Sequence, residues 1–379
     1  MQAKNSIFSR KLFPCSILII EIVVSTGQHQ KCVQKNMNKS RRFPIIQVTD
    51  PNTNKSINTF NDSSLQHLSS PMSTVLLACL YLIVLIIGLP ANGLALYILI
   101  TRIKKLPSTI FLMNLALADL LLTFALPFRV SYHLLGNDWV FGELLCRVCS
   151  ALFYGNVYSS ILFLTCISAD RYLAVVHPFL AKEIRKKGFT YCICGAVWLL
   201  VLLSMLPIYI TKQSYEISTL NITTCNDALL KETLRDGLFY YFVCLVIFGF
   251  VIPCLITIFC YVSVISTLIL NNRQYVHAIK VTLLVLLVFL VCLTPVNVIL
   301  LIHSYTHSSD IYAYSMLCLA LSTFNNCIDP FIYYYISEEF RDKVTSTICA
   351  PKNEMSSGKS AQTLIQSSSA SQPSPPHSV

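Results

Sequence analysis

The stretch MSTVLLACLYLIVLIIGLPANGLALYILIT, residues 72–101, contains no Asp, Glu, Lys or Arg. A helix needs about 20 residues to cross a hydrocarbon core of ~30 Å, and this segment exceeds that length. Helix is the expected form, because in hydrocarbon each backbone N–H and C=O must find its partner within the segment. Working outward, seven such segments follow one another: near Ser73–Ile100, Thr109–Leu135, Glu143–Val176, Gly188–Ile210, Gly237–Leu270, His277–Tyr305 and Ile311–Ile336. The fold class is therefore an all-α membrane protein, a bundle of seven transmembrane helices.

Composition agrees. Of 379 residues, 12% are charged and 54% hydrophobic, with a mean hydropathy of +0.62. Soluble domains carry about 25% charge, so a soluble enzyme, a disordered chain and a collagen-like protein are excluded. The sixteen cysteines fall mostly in apolar runs, where they act as small hydrophobes.

The net charge of +10 reads as topology, not as nucleic-acid binding. The loop after span 1 carries Arg102, Lys104 and Lys105 and no acid. The loop after span 3 carries Lys182, Arg185, Lys186 and Lys187 against Glu183. The loop after span 4 is acidic on balance, with Glu216, Asp227, Glu232 and Asp236 against Lys212, Lys231 and Arg235. Basic loops stay cytoplasmic, so the N-terminus lies outside. Glycosylation sequons at Asn38, Asn54, Asn61 and Asn221 all fall on that outer side.

The chain divides accordingly. Residues 1–27 read as a signal peptide, with Lys4, Arg10 and Lys11 before an apolar run from Leu12 to Val24 and small residues at Ser25-Thr26-Gly27. Residues 28–72 form a polar extracellular exodomain and 73–336 the bundle. Phe340, Val344 and Ile348 recur every four residues, which suits a short amphipathic eighth helix over 337–348 on the inner leaflet. Cys349 at its end is a candidate for palmitoylation. The Ser- and Pro-rich tail, 349–379, has no periodicity and reads as disordered and phosphorylatable.

Ionisable groups at membrane depth are costly and mark function. Asp119 sits mid-span 2 and Asp329 low in span 7, with Asn92, Ser160, Asn325 and Asn326 on neighbouring spans. One reading is a hydrated Na⁺ ion held by Asp119, Ser160, Asn325 and Asp329. The other is protonated, hydrogen-bonded carboxyls. Neither Asp carries the Gly-x-Gly-Asp flank of an intramembrane aspartyl protease, so no enzyme is expected, and no cofactor beyond a structural Na⁺. Asp170-Arg171-Tyr172 ends span 3 at the cytoplasmic face, where Arg171 can pair with Asp170 in one state and reach across the bundle in another. Cys146 and Cys225 share an oxidising compartment and can bridge span 3 to the second outer loop. Pro127, Pro207, Pro253, Pro295 and Pro330 lie inside spans and permit kinks.

These motifs together resemble the rhodopsin-like G-protein-coupled receptors. They are Asn92 in span 1, Leu115-Ala116-Leu117-Ala118-Asp119 in span 2, Asp170-Arg171-Tyr172 in span 3 and Trp198 in span 4. Pro253 with Tyr261 marks span 5, Phe289-x-x-Cys292-x-x-Pro295 span 6, and Asp329-Pro330-x-x-Tyr333 span 7. Within that superfamily the chain is similar to the proteinase-activated receptors. The segments that carry this are Tyr132-His133-Leu134-x-Gly136-Asn137-x-Trp139, Phe153-Tyr154-Gly155-Asn156-x-Tyr158, Asn221-Ile222-Thr223-Thr224-Cys225-x-Asp227 and Cys327-Ile328-Asp329-Pro330-Phe331. Two positions depart from that family: Asn226 stands where it has His, and Leu293 where it has an aromatic.

The resemblance implies a receptor cut in its exodomain by a trypsin-like serine protease, the new terminus folding back as a tethered agonist. Lys39-Ser40-Arg41-Arg42-Phe43-Pro44-Ile45-Ile46 suits this. Cutting after Arg41 would place Phe43 second in the new terminus, and cutting after Arg42 would expose Phe43 itself, with Pro44 and Ile45 following; a polar linker of ~30 residues would carry it. Asp227 and Glu216 are then available to the new ammonium, with Tyr158, His303 and Tyr312 as further ligand contacts. Asp170, Arg171, Tyr172, Tyr261, Asp329, Pro330 and Tyr333 would carry the switch to heterotrimeric G proteins, and the Ser-rich tail would meet receptor kinases and arrestin. A plasma-membrane location follows, with membrane lipid around the bundle. Phe153 occupies the amine-binding position of small-molecule receptors and Thr323 the retinal-lysine position, so neither ligand is expected. A receptor for a diffusible peptide or lipid is the alternative. A channel or transporter is disfavoured, with no internal repeat found.

Overall fold

The computed structural model describes residues 43–49, 56–59, 62–230, 238–270, 276–305 and 309–348. The expected signal peptide, Asn38, Arg41, Arg42, Asn54, Asn61 and Cys349 lie outside them. Six helices are long and apolar enough to cross a membrane: Met72–Thr101, Pro107–Leu134, Gly142–Val176, Lys187–Ile210, Tyr241–Leu270 and Ile279–Ile302. We call these spans 1 to 6. Many of their large apolar side chains, such as Phe124, Leu199 and Phe259, face outward, as a lipid solvent allows.

Span 7 differs from the single helix expected. It is two abutting helices, Ser309–Ser322 and Asn325–Ile336. At the join, the amides of Thr323, Phe324, Asn326 and Cys327 each bond three residues back. Ser322 and Thr323 turn their hydroxyls onto the Leu319 and Ala320 carbonyls. Such local bonds compete with the α-helical ladder and tighten the turn.

Prolines shape the other spans. A proline lacks its N–H and crowds the carbonyl four residues back. Immediately before Pro253 the helix widens to a π-turn, Ile247–Val251, and before Pro295 to another, Val288–Leu293. In span 7, Pro330 frees the Asn326 carbonyl, which accepts the Asn92 Nδ2 amide at 2.7 Å. A break in one helix thereby becomes a tie to span 1.

Three shorter helices occur among the described residues: α1 (Asp62–Leu68) before span 1, α2 (Pro178–Ile184) in the second cytoplasmic loop, and α3 (Glu338–Ile348) after span 7. Phe340 of α3 is buried edge-on against Tyr333, so α3 is anchored to the bundle and not only to lipid. Outside, the second loop forms an antiparallel hairpin, β3 (Ser214–Ile217) with β4 (Ile222–Cys225). A second sheet has the order β2-β1-β5, from β1 (Phe43–Thr49), β2 (Ser56–Thr59) and β5 (Ala228–Leu230). The exodomain, expected as polar linker, is therefore partly ordered as strands. Its Ile45, Ile46, Val48 and Thr49 are β-branched and favour extended backbone.

The root of the exodomain is fixed by the first outer loop. Asn137 adopts a left-handed φ of 65° and its Nδ2 donates to the Leu68 carbonyl at 2.6 Å and to Ser73 Oγ at 2.9 Å. Its Oδ1 meets His133 Nδ1 at 2.7 Å. Leu68 buries against Tyr215 and Ile217 of β3. Replacing Asn137 with Ala leaves buried partners unpaired, and loss of stability by about 2 kcal/mol is expected. The measurement is thermal unfolding of the purified receptor; an unchanged midpoint would contradict this anchoring.

Candidate functional site

Three clusters of polar residues line the bundle from outside to inside. The outer one is organised by the second loop. Cys225 is bonded to Cys146 of span 3, and its carbonyl accepts Arg129 Nη1 of span 2 at 3.1 Å. The loop is further tied by Glu143. Its carboxylate accepts from Arg147 at 2.5 Å, from the Gln213 and Ser214 amides at 2.9 and 2.8 Å, and from Ser214 Oγ. The Trp139 amide donates to the Thr223 carbonyl at 2.7 Å, and the Thr223 amide to Asp138 at 2.8 Å.

Arg129 was not among the sequence candidates, yet it is the centre of this cluster. It is buried, with its guanidinium 5.4 Å from the Phe153 ring and 5.6 Å from that of Tyr132. Its Nε and Nη2 have no hydrogen-bond partner among the described residues. The rule that singled out Asp119, a charge inside an apolar run, applies equally to Arg129.

Asp227, expected to be open to an incoming ammonium, is 2% exposed. It accepts a short hydrogen bond from the Tyr132 hydroxyl and lies within electrostatic reach of Arg129. In low dielectric such a carboxylate needs both neighbours. An arriving cation therefore competes for a charge already in use. Glu216 is exposed on β3. Asn226, with a φ of 72°, donates to the Tyr154 hydroxyl at 3.2 Å. Tyr158 donates to Asn297 of span 6 at 3.2 Å. Phe43, Pro44 and Ile45 are placed by β1, and His303 and Tyr312 by helices Thr294–Tyr305 and Ser309–Ser322. Asn221 is exposed on the turn between β3 and β4.

The middle cluster gathers spans 1, 2, 3 and 7. Asn156 Nδ2 donates to Asp119 Oδ1 at 3.0 Å, and Asn326 Nδ2 to the Asp119 carbonyl at 3.2 Å. Tyr333 reaches Asp119 Oδ2 and Asn92 Oδ1, each at 3.4 Å. Ser160 Oγ accepts Asn325 Nδ2 at 3.0 Å. Asp119, Asn325, Asn326 and Asp329 are all 0% exposed. Both oxygens of Asp329, and the side-chain oxygens of Asn325 and Asn326, meet no donor among the described residues.

At the cytoplasmic end, Asp170 is gripped by a residue the sequence did not single out. Arg185, at the end of α2, holds it through two bonds of 2.7 and 2.9 Å. A planar fork fits a carboxylate in this way, and Arg171 lies within electrostatic reach of the same Asp170. Tyr172 bonds His177 at 2.9 Å. Tyr261 is buried near Ser168 and Arg171.

Comparison with known proteins gives the family. Residues 91–333 match the family described as 7 transmembrane receptor (rhodopsin family). The chain is similar to Proteinase-activated receptor 3 of Rattus norvegicus, 43% identical over 293 residues, covering 76% of this chain and 79% of that protein. Proteinase-activated receptor 2 of Mus musculus is 41% identical over 301 residues, 76% and 75% of the two chains. Proteinase-activated receptor 4 of Homo sapiens is 42% identical over 308 residues, 79% and 80%.

Gly249, inside the π-turn of span 5, makes room for Tyr158: a Cβ there would stand 2.7 Å from Tyr158 Cδ1. Gly249→Ala is expected to lower stability by about 1–3 kcal/mol through overpacking and to displace the Tyr158–Asn297 bond. Thermal unfolding checks this. In a Tyr158→Ala background the clash is already gone, so Gly249→Ala should lower the melting temperature less there than in the wild type.

Proposed function

The chain belongs to the rhodopsin family of seven-transmembrane receptors and, within it, to the proteinase-activated receptors; on that premise we propose how its own residues serve that role. The protein is a multi-pass membrane receptor and not an enzyme. It couples to heterotrimeric G proteins and is switched on by proteolytic cutting of its N-terminal segment, whose new terminus is a tethered agonist.

The scissile bond follows Arg41 or Arg42, the target of an extracellular trypsin-like serine protease. Phe43, Pro44 and Ile45 head the agonist. The observation that supports this is the path of the chain: the basic cluster runs directly into β1, and β1 pairs with β5 of the second loop, next to Asp227. Asp227 is the residue that receives the new positive charge, with Tyr132 and Arg129 as its present partners. Tyr158 relays contact to span 6 through Asn297. At the inner end, Arg171 and Tyr172 meet the G protein, and the buried Asp170, Tyr261 and Tyr333 carry the switch behind them. The receptor acts at the plasma membrane, its signal peptide removed, and its Ser-rich tail is the substrate of receptor kinases and the binding site of arrestin.

The middle cluster fits a Na⁺ ion. Hard cations take oxygen ligands, and four buried oxygens of Asn325, Asn326 and Asp329 lack donors there. Asp119 and Asp329 would supply the charge, and Ser160 and Asn325 further oxygens. The ion would screen the two carboxylates from each other.

Changing Arg41 and Arg42 together to Gln is expected to abolish the calcium response to trypsin while the free peptide Phe-Pro-Ile-Ile-Gln-Val still evokes one. A full trypsin response in that variant would place the cut elsewhere. For the cation, the melting temperature of agonist-free receptor is expected to rise when choline chloride is replaced by sodium chloride. The rise should vanish in Asp119→Asn; equal curves for the wild type in both salts would remove Na⁺ from the site.

A further inference from the structure

The strand that bears the agonist residues is already paired in the uncut chain. β1 and β5 run parallel with Phe43 opposite Ala228, Pro44 opposite Leu229 and Ile45 opposite Leu230. On its other edge β1 pairs antiparallel with β2, from Ile46 opposite Thr59 to Thr49 opposite Ser56. Pro44 has no N–H, so the ladder at that point can run only from Leu229 to the Phe43 carbonyl and the Ile45 amide. A parallel ladder uses alternate residues of each strand on a given edge, so a proline at position 44 costs it nothing. A proline at 45 would remove a bond.

The hairpin has little freedom to leave. Two residues, 60 and 61, separate the end of β2 from the start of α1, a gap of roughly 10 Å at full extension. α1 is itself held, through the Leu68 carbonyl on Asn137 and the Leu68 side chain against Tyr215 and Ile217. β2 also lies against β3 of the same loop. The agonist segment is thus joined to the second loop at its strand, at its hairpin partner and at its root.

We infer that the edge of β5 is the docking site of residues 43–45 before cleavage, so that cutting does not deliver the agonist but changes its charge in place. This rests on the tethered-agonist reading above. In the uncut chain the nitrogen of Phe43 is a neutral amide. Hydrolysis of the Arg42–Phe43 bond adds water, releases the Arg42 carboxylate and leaves an ammonium on Phe43. Its register partner is Ala228, the residue after Asp227. A charge appears beside a carboxylate that is shared between Tyr132 and Arg129. Main-chain pairing supplies position, and the new charge supplies the signal. The entropic cost of bringing a long free tether to the loop is removed in advance.

The test is a disulfide across the register in an uncut receptor. Ile45→Cys and Leu230→Cys are combined with Arg41→Gln and Arg42→Gln, an N-terminal epitope, and a viral-protease site inserted between Thr49 and Ser56. Cutting at the inserted site should leave the epitope on the cell surface until a reductant releases it. The off-register pair Gln47→Cys with Leu230→Cys should release it at once. Release from the Ile45–Leu230 pair without reductant, as from single-cysteine controls, would overturn the inference. Should the crosslinked variant fail to reach the surface, hydrogen exchange on the intact wild-type receptor decides. The Ile45 amide, which faces β5, should exchange at least tenfold slower than in an unstructured chain, and an unprotected Ile45 amide would overturn it. The trypsin–calcium measurement separates the two readings. Docking without a protease response sinks the tethered agonist alone, and a response without docking sinks only this inference.

Discussion

The outer half of the molecule depends on where Cys225 sits. Its sulfur is bonded to Cys146 of span 3 and its carbonyl takes the guanidinium of Arg129 from span 2. A loop with a single attachment would leave its strands free to drift. With two, to different spans, the next two residues are placed over the bundle, Asn226 on Tyr154 and Asp227 on Tyr132. β5 begins immediately afterwards, and its edge receives β1. The position of β1 is thus inherited, residue by residue, from one cysteine.

The membrane imposes the matching constraint inside. With no water available, a backbone group freed by proline has to be paired by another part of the protein. Span 7 shows the solution: the carbonyl released by Pro330 takes the amide of Asn92. Spans 5 and 6 use a different one, opening a π-turn ahead of Pro253 and Pro295. In span 5 that turn also brings Gly249 against Tyr158. The same deviation that accommodates a proline therefore shapes the ligand end of the bundle.

Hydropathy made the seven spans legible because transfer into hydrocarbon depends on side chains taken one at a time. Spans 1 to 6 lie where the apolar runs predict them. The break in span 7 was not legible, because it depends on which carbonyls Ser322 and Thr323 choose. Asp119 and Asp329 stood out as charges in apolar sequence. Arg129 carried the same signal and was missed, since the outer third of a span reads easily as a loop flank. Arg185 looked like ordinary cytoplasmic charge, and only its two bonds to Asp170 separate it from Lys186 and Lys187 beside it. Asn137 and Gly249 are set by φ and by a close approach between elements, and neither is encoded in periodicity. The exodomain was read as linker from its polarity. Its β-branched run was visible, but its partner strand lies far along the chain, in the second loop.

Where the structure leaves polar atoms unpaired is as informative as where it pairs them. Nine buried side-chain nitrogen and oxygen atoms lack a partner among the described residues. Two belong to Arg129, and four to Asn325, Asn326 and Asp329. Each such atom costs roughly 1–3 kcal/mol, and chance would scatter them. Six of the nine instead fall at two places, on Arg129 of span 2 and on the span 7 residues that surround Asp119 of the same span 2. Ten residues separate Arg129 from Asp119, roughly 15 Å of helix. Asp119 itself is held by Asn156 and Tyr333 on its carboxylate and by Asn326 on its carbonyl. Span 2 is therefore gripped twice, by the second loop at Arg129 and by spans 3 and 7 at Asp119, and the unpaired oxygens beside Asp119 belong to span 7.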